Sequence, residues 1–190
     1  MSDINADFKF CPLCGSSKGI SYVKRRHWVC SDCGFDLYNN VASAVGLIIL
    51  DSEGRVLLEK RAKEPRKGFL ALPGGFVDPD ERAEDAAVRE CLEEIGLEPE
   101  SISFVCTCPN TYEYKNIVYK TCDMFFSAKL KAEDASSKDL IKRLTPQESE
   151  VSGFELYKID CTEDVDTIPL AFASAKVALK AFIECGIPRT

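Results

Sequence analysis

The chain has 190 residues, a formal net charge of −7 at pH 7 and a pI near 4.9, and 45% of its residues are hydrophobic. This length accommodates one ordinary domain and a small additional module, and the apolar fraction is that of a globular chain with a buried core. Because sequence-independent binding to nucleic acid requires an excess of Lys and Arg, the net acidity argues against nucleic acid as a partner.

The chain contains ten cysteines, so the redox compartment matters. The first residues, MSDINADFKF, lack the basic start and the apolar run of a secretory signal. The longest apolar run, residues 41–50, is too short to span a bilayer and suits a buried strand. We therefore expect a cytoplasmic protein without membrane association, in which most cysteines act as small core residues and the others are incidental.

Two Cys-x-x-Cys pairs lie near the N-terminus. Cys11 and Cys14 are followed, after fifteen residues, by Cys30 and Cys33. This spacing is within the range of four-Cys zinc sites, and the Gly after each pair lets backbone N–H groups turn toward the thiolates. Four thiolates complete a tetrahedral Zn²⁺ site, so we expect a structural Zn²⁺ with no open position. Two disulfides or an iron–sulfur site are the alternatives.

The segment around these cysteines resembles a zinc ribbon. Residues 20–23 and 28–29 are predicted to form a short hairpin, and residues 35–40 a connector. We place the ribbon at residues 1–38 and a larger domain at residues 39–190.

The larger domain is predicted to begin with a strand at 41–50, a turn at Asp51–Gly54 and a second strand at 55–61, together a hairpin. A loop with Pro73, Gly74 and Gly75 leads into a helix, and the two glycines permit close approach of the backbone to a phosphate or a metal. The later elements expected are strands at 101–108, 117–130 and 154–159, a mobile loop with one helical turn at 131–150, and a helix at 174–185 ended by Gly186 and Pro188.

The most informative stretch is GFVDPDERAEDAAVRECLEEIGL, residues 75–97. Asp78 and Pro79 are typical of a helix start, and Gly96 of a helix end. Glu90, Glu93 and Glu94, at positions i, i+3 and i+4, fall on one stripe of this helix. The opposite stripe, predicted to face the core, contains Val88, Cys91, Leu92 and Ile95.

Three neighbouring carboxylates repel one another unless a cation neutralises them. Mg²⁺ and Mn²⁺ favour carboxylate oxygens and keep positions open for phosphate. Arg89, four residues before Glu93, is expected to pair with it. The alternative is a solvated acidic helix face with Arg89 in a surface ion pair.

The spacing of Gly75, Glu81, Arg89-Glu90, Glu93-Glu94 and Gly96-Leu97 resembles the Nudix box of the Nudix hydrolases, and Cys91 at an apolar position is the one departure. The resemblance covers about residues 41–185. It implies an α/β (α+β) fold, an α/β/α sandwich with a mixed sheet, and hydrolysis of a nucleoside diphosphate linked to another moiety.

The resemblance also implies roles for individual residues. Glu90, Glu93, Glu94 and the backbone carbonyl of Gly74 would bind catalytic Mg²⁺ or Mn²⁺, with Glu93 and Glu94 at the centre of the chemistry. Glu81 and Arg89 would brace the loop and the helix. A general base outside the box is sought at Glu148 or Glu150. The expected substrate contacts are Gly74, Gly75, Phe76, Tyr112 and Tyr114, although both tyrosines also suit the exposed edge of a hairpin.

The substrate is expected to be a small nucleotide, ADP-ribose or a dinucleotide such as NADH or FAD. The NADH pyrophosphatase-like branch carries an SQPW-type stretch after the box, which is missing here, where Trp28 in the ribbon is the only tryptophan. Removal of nucleotide caps from RNA gains no support from the net acidity. A homodimer is compatible with the sequence. The alternative function is a non-catalytic regulator that senses a nucleotide or binds a partner.

Overall fold

The computed structural model describes residues 8–24, 26–115, 117–131, 134 and 140–185, and for Tyr114 the backbone alone. The predicted helix stop at Gly186 and Pro188 lies outside these residues. The chain divides into two compact units. One comprises the described residues up to Val41 together with Glu113–Tyr119, and the other comprises Ala42–Tyr112 and the described residues from Lys120 onward.

The first unit contains an antiparallel sheet in the order β1 (Ile20–Val23), β2 (His27–Cys30), β3 (Asp36–Tyr38). The predicted hairpin is present, with Tyr22 opposite Trp28. The prediction of a connector at 35–40 is wrong, because residues 36–38 form a third strand that pairs with β2. A tight turn after Cys30 returns the chain along β2 and pairs Val29 with Asp36.

The remaining strands form two further three-stranded sheets. The first has the order β4 (Ala42–Ile49), β8 (Ile117–Lys129), β7 (Ser101–Tyr114), and the second β6 (Leu70–Ala71), β5 (Arg55–Arg61), β9 (Val151–Lys158). The described helices are α1 (Ala83–Ile95), α2 (Leu140–Arg143), α3 (Thr162–Thr167) and α4 (Ala173–Glu184). The short α2 is the helical turn predicted in the polar segment, whereas α3 was not predicted. None of these helices is long and apolar enough to span a membrane.

The predicted hairpin of the first two strands is wrong. β4 pairs in parallel with β8, whereas β5 pairs antiparallel with β6 and β9. Between the ends of β4 and β5 there is an isolated antiparallel bridge from Leu50 to Val56. The Asp51 carboxylate fixes the turn by accepting hydrogen bonds from the backbone N–H of Glu53 and from Arg55. The turn thus carries the chain from one sheet to the other, and residues 45–49 become buried on both strand faces.

Apolar side chains form one core on each side of the strands. Val45, Leu47 and Ile49 of β4 pack with Ala86, Ala87, Cys91 and Ile95 of α1. The Ile48 side chain points to the opposite face of β4. It packs with Val165 of α3 and with Ala178, Leu179 and Phe182 of α4. This alternation produces the expected α+β sandwich, with α1 and α4 on opposite sides of β4.

Helix α1 begins later than predicted. Its first residue is Ala83 and its N-cap is Arg82, so Asp78 and Pro79 precede the helix. Asp80 adopts a left-handed backbone conformation (φ +66°), which cannot continue into a helix. The helix ends as predicted at Gly96 (φ +74°), whose N–H donates to the Leu92 carbonyl at 3.0 Å.

Candidate active site and thiol cluster

The acidic stripe of α1 is more buried than the sequence suggested. The residue exposures of Glu90 and Glu94 are 9% and 2%, whereas the Glu93 side chain is 48% exposed. Leu92, predicted to face the core, is 53% exposed, and this prediction is wrong. The helix is rotated so that Glu90 and Glu94 point toward the glycine loop and strand β5, where backbone and charged groups hold them.

The loop before α1 lies directly on strand β4. Val45 N–H donates to the Gly75 carbonyl at 2.8 Å, and Leu47 N–H to the Pro73 carbonyl at 2.8 Å. Gly74 has φ +144°, and a Cβ on it would lie 2.2 Å from the Val45 carbonyl oxygen. A Cβ on Gly75 would lie 2.4 Å from a Glu90 carboxylate oxygen. Both glycines are therefore required by close packing, one against backbone and the other against an acidic side chain.

The Gly74 N–H donates to Glu94 Oε2 at 2.6 Å and so fixes that carboxylate at the loop. Arg89 fixes the others. Its Nε and Nη2 donate to the two oxygens of Glu81 at 2.9 and 3.0 Å, and its Nη1 donates to Glu90 at 2.8 Å and to Glu93 at 3.2 Å. Nη2 also donates to the Phe76 carbonyl at 3.0 Å. The predicted pairing of Arg89 with Glu93 is present, within a larger network centred on the guanidinium.

Burial and like charge shift the titration of these carboxyl groups. Burial raises the pKa of Glu94 to about 8, against the opposing Gly74 hydrogen bond and with the nearby Glu90 charge adding to the rise. Burial also raises the pKa of Glu90, although Arg89 opposes it. Conversely, the hydrogen bonds from Arg89 hold the pKa of Glu81 below its usual value. The site thus concentrates carboxyl groups where burial and mutual repulsion disfavour their ionised forms.

One acidic residue of the cluster was missed by the sequence analysis. Glu59 of β5 is 2% exposed, and among the described residues its Oε2 has no hydrogen-bond partner. Burial and the charge of Glu94 raise its pKa well above the usual range. The sequence feature that could have revealed Glu59 is its position directly after the apolar residues Val56, Leu57 and Leu58 of a strand. Burial of a carboxyl group in such a strand is costly unless another group compensates it.

The two candidates for the general base lie in different surroundings. Glu150 is half-buried and forms an ion pair with Lys63, and its charge contributes to the raised pKa of both Glu90 and Glu94. Glu148 is exposed, and no hydrogen bond or ion pair joins it to the box within the described part of the chain. The structure therefore brings Glu150, and not Glu148, to the carboxylate cluster.

Two of the expected substrate residues are in contact. The Phe76 and Tyr112 rings are 5.5 Å apart, edge to face. Phe172, which precedes α4 and was not predicted, lies 5.6 Å from Tyr112, and the Arg61 guanidinium lies 5.1 Å from the Phe172 ring centre. Tyr114 ends β7, and its side chain is outside the described atoms.

The four N-terminal cysteines form a compact cluster in the first unit. Their Sγ atoms all lie within 4.8 Å of one another, and the Cys11–Cys33 and Cys14–Cys30 Sγ distances are both 3.7 Å. Gly15 N–H donates to the Cys11 carbonyl and Gly34 N–H to the Cys30 carbonyl, each at 2.9 Å, and both glycines have positive φ. Each Cys pair thus sits on the tight turn expected of a zinc knuckle.

The distances between the sulfur atoms help to decide between two interpretations of this cluster, a pair of disulfides and a zinc site. A disulfide requires about 2.05 Å between sulfurs, and the four thiols are free. A tetrahedral Zn²⁺ with bonds of about 2.3 Å requires Sγ–Sγ edges of about 3.8 Å, from simple geometry. The observed 3.7 Å agrees with the tetrahedron.

Comparison with known proteins places this geometry in context. An ADP-ribose pyrophosphatase of Methanocaldococcus jannaschii is 49% identical over 65 residues, which cover 34% of this chain and 38% of that protein. A NAD-capped RNA hydrolase of Schizosaccharomyces pombe is 30% identical over 116 residues, which cover 54% of this chain and 31% of that protein. The chain therefore spans well under half the length of either relative.

Solved structures show the same fold. A NUDIX hydrolase from Nitrosomonas europaea aligns with a TM-score of 0.60 and 26% identity, over 92% of this chain and 90% of that one. The NUDIX domain of Shewanella oneidensis NrtR, complexed with ADP ribose, aligns with a TM-score of 0.59 and 23% identity, over 78% of this chain and 90% of that one. A profile of the NUDIX domain matches residues 41–171, which is more than half of the chain. The chain belongs to the Nudix family.

Proposed function

We propose that this protein is a divalent-metal-dependent pyrophosphohydrolase that cleaves a nucleoside diphosphate linked to another moiety, with ADP-ribose or a dinucleotide such as NADH or FAD as substrate. The observation that carries the proposal is the convergence of Glu90, Glu93 and Glu94 with the Gly74–Gly75 loop around Arg89. The local identity to an ADP-ribose pyrophosphatase supports the choice of substrate.

The chemistry of the donors suits Mg²⁺ or Mn²⁺. Glu90 and Glu94 are buried with raised pKa values, and Glu59 contributes a buried oxygen without a partner among the described residues. A hard dication offsets this unfavourable concentration of carboxyl groups. Glu90, Glu93, Glu94 and the Gly74 carbonyl would hold it. When bound, such an ion neutralises charge on the phosphoryl oxygens and acidifies the attacking water.

The chain's own groups then have distinct roles in hydrolysis. The water oxygen bonds to one phosphorus, and the bridging oxygen leaves with the other phosphate. Glu150 is the candidate to accept the water proton, because its charge already acts on the cluster. Arg89 orients three carboxylates and the Phe76 carbonyl, and the glycine loop leaves room for the phosphates.

The role of Glu150 is tested by comparing Glu150→Gln with Glu148→Gln. Loss of a general base typically lowers the rate by about 10²–10⁴-fold, so we expect that fall in kcat for Glu150→Gln and less than twofold change for Glu148→Gln. The reverse order of effects assigns the base to Glu148, and normal kcat in both variants removes both residues from the role.

Turnover of a substrate panel tests the proposed activity. The purified protein with Mg²⁺ or Mn²⁺ is offered ADP-ribose, NADH, FAD, diadenosine polyphosphates, nucleoside triphosphates and NAD-capped RNA, and the products are identified. Glu93→Gln is the inactive control, because Glu93 is half exposed and its replacement leaves the core intact. If wild-type protein hydrolyses no member of the panel, the non-catalytic regulator replaces the enzyme as the interpretation.

We propose a second, structural metal in the first unit. Cys11, Cys14, Cys30 and Cys33 would hold one Zn²⁺, in a ribbon that we place at residues 1–38 and whose small sheet buries little besides Trp28. Zinc binding supplies folding free energy to modules of this size. Metal analysis of protein purified without chelators should give one zinc per chain, and a value far below one contradicts the proposal.

A further inference from the structure

Three aromatic side chains form a continuous row in the second unit. Phe76, Tyr112 and Phe172 contact one another in that order, at ring separations of 5.5 and 5.6 Å. Phe76 is 40% exposed, and Tyr112 and Phe172 are half-buried. None of the three belongs to either hydrophobic core. The three rings of this aromatic row are therefore partly exposed and lie outside the two cores.

One end of the aromatic row joins the candidate active site. Phe76 follows the Gly74–Gly75 loop directly, and its carbonyl accepts a hydrogen bond from Arg89 at 3.0 Å. A planar group stacked on the row would therefore extend away from a phosphate group placed at the loop.

The other end carries a guanidinium group. Arg61 lies over Phe172, and its Nε donates to the Pro65 carbonyl at 2.9 Å. Its buried Nη2 has no acceptor among the described residues. Because a buried N–H group without an acceptor is costly, an oxygen or ring nitrogen of a bound ligand would relieve that cost. The row thus combines partly exposed aromatic rings with a polar donor, and both features suit the recognition of a nucleobase.

A single buried carboxylate fixes the two segments that carry Tyr112 and Phe172. Asp123 of β8 accepts hydrogen bonds from Thr121 Oγ1 at 2.6 Å, Ser174 Oγ at 2.7 Å and Asn110 Nδ2 at 2.9 Å. Asn110 lies two residues before Tyr112 on β7, and Ser174 lies two residues after Phe172 at the start of α4. Asp123 therefore ties the strand of one ring to the helix start of the other.

From this arrangement we infer that the aromatic row, together with Arg61, binds the planar base of the nucleotide substrate. Asp123 is then the positioning residue that sets the spacing between Tyr112 and Phe172. The inference rests on the proposed function and deepens it, because it places base recognition on α4 and β5, outside the Nudix box. The ligand is a nucleoside diphosphate whose base can stack on the rings, and ADP-ribose is the probe used to test it.

Kinetics with ADP-ribose provide the first test. Stacking of a base on an aromatic side chain is worth roughly 5- to 140-fold in affinity, so Phe172→Leu should raise KM about tenfold while kcat changes less. Phe104→Leu is the matched control, since Phe104 is an exposed ring on β7 that contacts Phe126 outside the row. Its KM should equal that of the wild type. An unchanged KM in Phe172→Leu overturns the inference.

Binding measured without turnover separates this inference from the proposed activity. In Glu93→Gln protein, the fluorescence of etheno-adenosine diphosphate ribose should be quenched on binding, because its base stacks on the row. Adding Phe172→Leu should abolish the quenching, and adding Phe104→Leu should leave it unchanged. Quenching in Glu93→Gln protein, when the wild type hydrolyses no substrate of the panel, retains the base subsite and rejects the enzyme. Turnover with no quenching, or quenching insensitive to Phe172, rejects the subsite and retains the enzyme.

The role of Asp123 has its own readout. Asp123→Asn removes an acceptor for Ser174 and Asn110 and should raise KM for ADP-ribose several-fold and weaken the quenching. Ser174→Ala removes only the bond to α4, and it serves if Asp123→Asn does not fold. Both variants should retain wild-type kcat within a few-fold. If they lose thermal stability while KM and quenching stay normal, Asp123 is a core residue without a positioning role.

Discussion

The two candidate metal sites of this protein differ in how their ligands are held. The thiol cluster takes all four ligands from two tight turns, and two of its Sγ–Sγ distances, 3.7 Å each, match the edge of a zinc–sulfur tetrahedron. The carboxylate site takes its ligands from one helix and a neighbouring loop, with unequal burial and with Arg89 among them. A closed set of thiolates suits a metal that stabilises structure, whereas an open set of carboxylates leaves positions for phosphate oxygens.

Electrostatics sharpens the contrast. In the thiol cluster, burial of Cys11 is outweighed by backbone hydrogen bonds, which lower the pKa of its thiol to about 7. At Cys33 the Phe35 backbone hydrogen bond is outweighed by burial and the neighbouring sulfurs, which raise the pKa of the thiol to about 12. Ionisation of the Cys33 thiol near neutral pH is therefore favoured only when a cation binds it. In the carboxylate site Arg89 already balances part of the charge through its hydrogen bonds to Glu81, Glu90 and Glu93.

The largest expected effect is at the closed site. Cys14→Ser replaces a thiolate by a weak ligand in a site that has no spare ligand, so we expect zinc content to fall from one per chain to near zero. Structural zinc binding in small modules is worth about 10–16 kcal/mol, so residues of the β1–β2–β3 sheet should also lose protection from hydrogen exchange. Metal analysis and exchange mass spectrometry measure the two effects.

The matched control for that prediction is Cys185→Ser. Cys185 is exposed and lies outside the cluster, at the end of α4. This variant should keep one zinc. Retention of one zinc by Cys14→Ser would show that three sulfurs suffice, and the site would then be an open one like the carboxylate site.

A smaller effect is expected at the open site from Arg89→Lys. Lysine retains the positive charge but cannot make the paired bonds to Glu81 while also reaching Glu90, Glu93 and the Phe76 carbonyl. Misplaced supports of metal ligands typically cost about 10–100-fold in metal affinity or activity. We expect kcat/KM to fall in that range and the half-saturating Mg²⁺ concentration to rise.

Arg82→Lys is the corresponding control, because Arg82 is exposed and, among the described residues, its guanidinium makes a 3.6 Å contact to Glu84 alone. It should retain wild-type kinetics. Wild-type kinetics in Arg89→Lys as well would mean that charge alone, and not the geometry of the guanidinium, holds the carboxylates.

The two sites were not equally predictable from the sequence. The thiol cluster follows from spacing alone, because each Cys-x-x-Cys pair followed by Gly forms its turn locally, and a four-Cys site requires the two pairs to meet. The box predicted the helix, its end at Gly96 and the pairing of Arg89 with Glu93 for the same reason, since helical spacing is a local property. The start of α1 was misjudged because Asp80 adopts a left-handed conformation that its residue type does not announce.

Residues contributed by distant segments were not predictable. Glu59 and Phe172 join the site because β5 and the start of α4 lie beside the box, and this depends on sheet order. The sheet order was itself misjudged, because the Asp51 turn looks like that of a hairpin although it carries the chain into a second sheet. The exposed Leu92 and the buried Glu90 and Glu94 have the same origin, since the orientation of a helix is set by the strands and the loop that receive it.

The smallest effect expected concerns pH and distinguishes the two sites in the folded protein. Glu94 has a pKa of about 8 in the fold, against 4.5 for an unperturbed Glu. Below 4.5 the group is protonated in both states and folding bears no cost. As the pH rises toward 8, the unfolded chain releases this proton while the folded chain retains it, so the free energy of unfolding decreases. Glu90, whose pKa is also raised, acts in the same direction.

We therefore expect protein dialysed free of Mg²⁺, with zinc retained, to melt about 5 °C lower at pH 8 than at pH 5.5. Mg²⁺ should restore more stability at the higher pH, because it binds the ionised carboxylates and competes with protons. Glu94→Gln should flatten both trends, whereas Glu148→Gln, an exposed change, should not. Equal melting temperatures at the two pH values in Mg²⁺-free wild-type protein would mean that the carboxylate cluster is hydrated and ionised before the metal binds. The two sites would then differ in the geometry of their ligands alone.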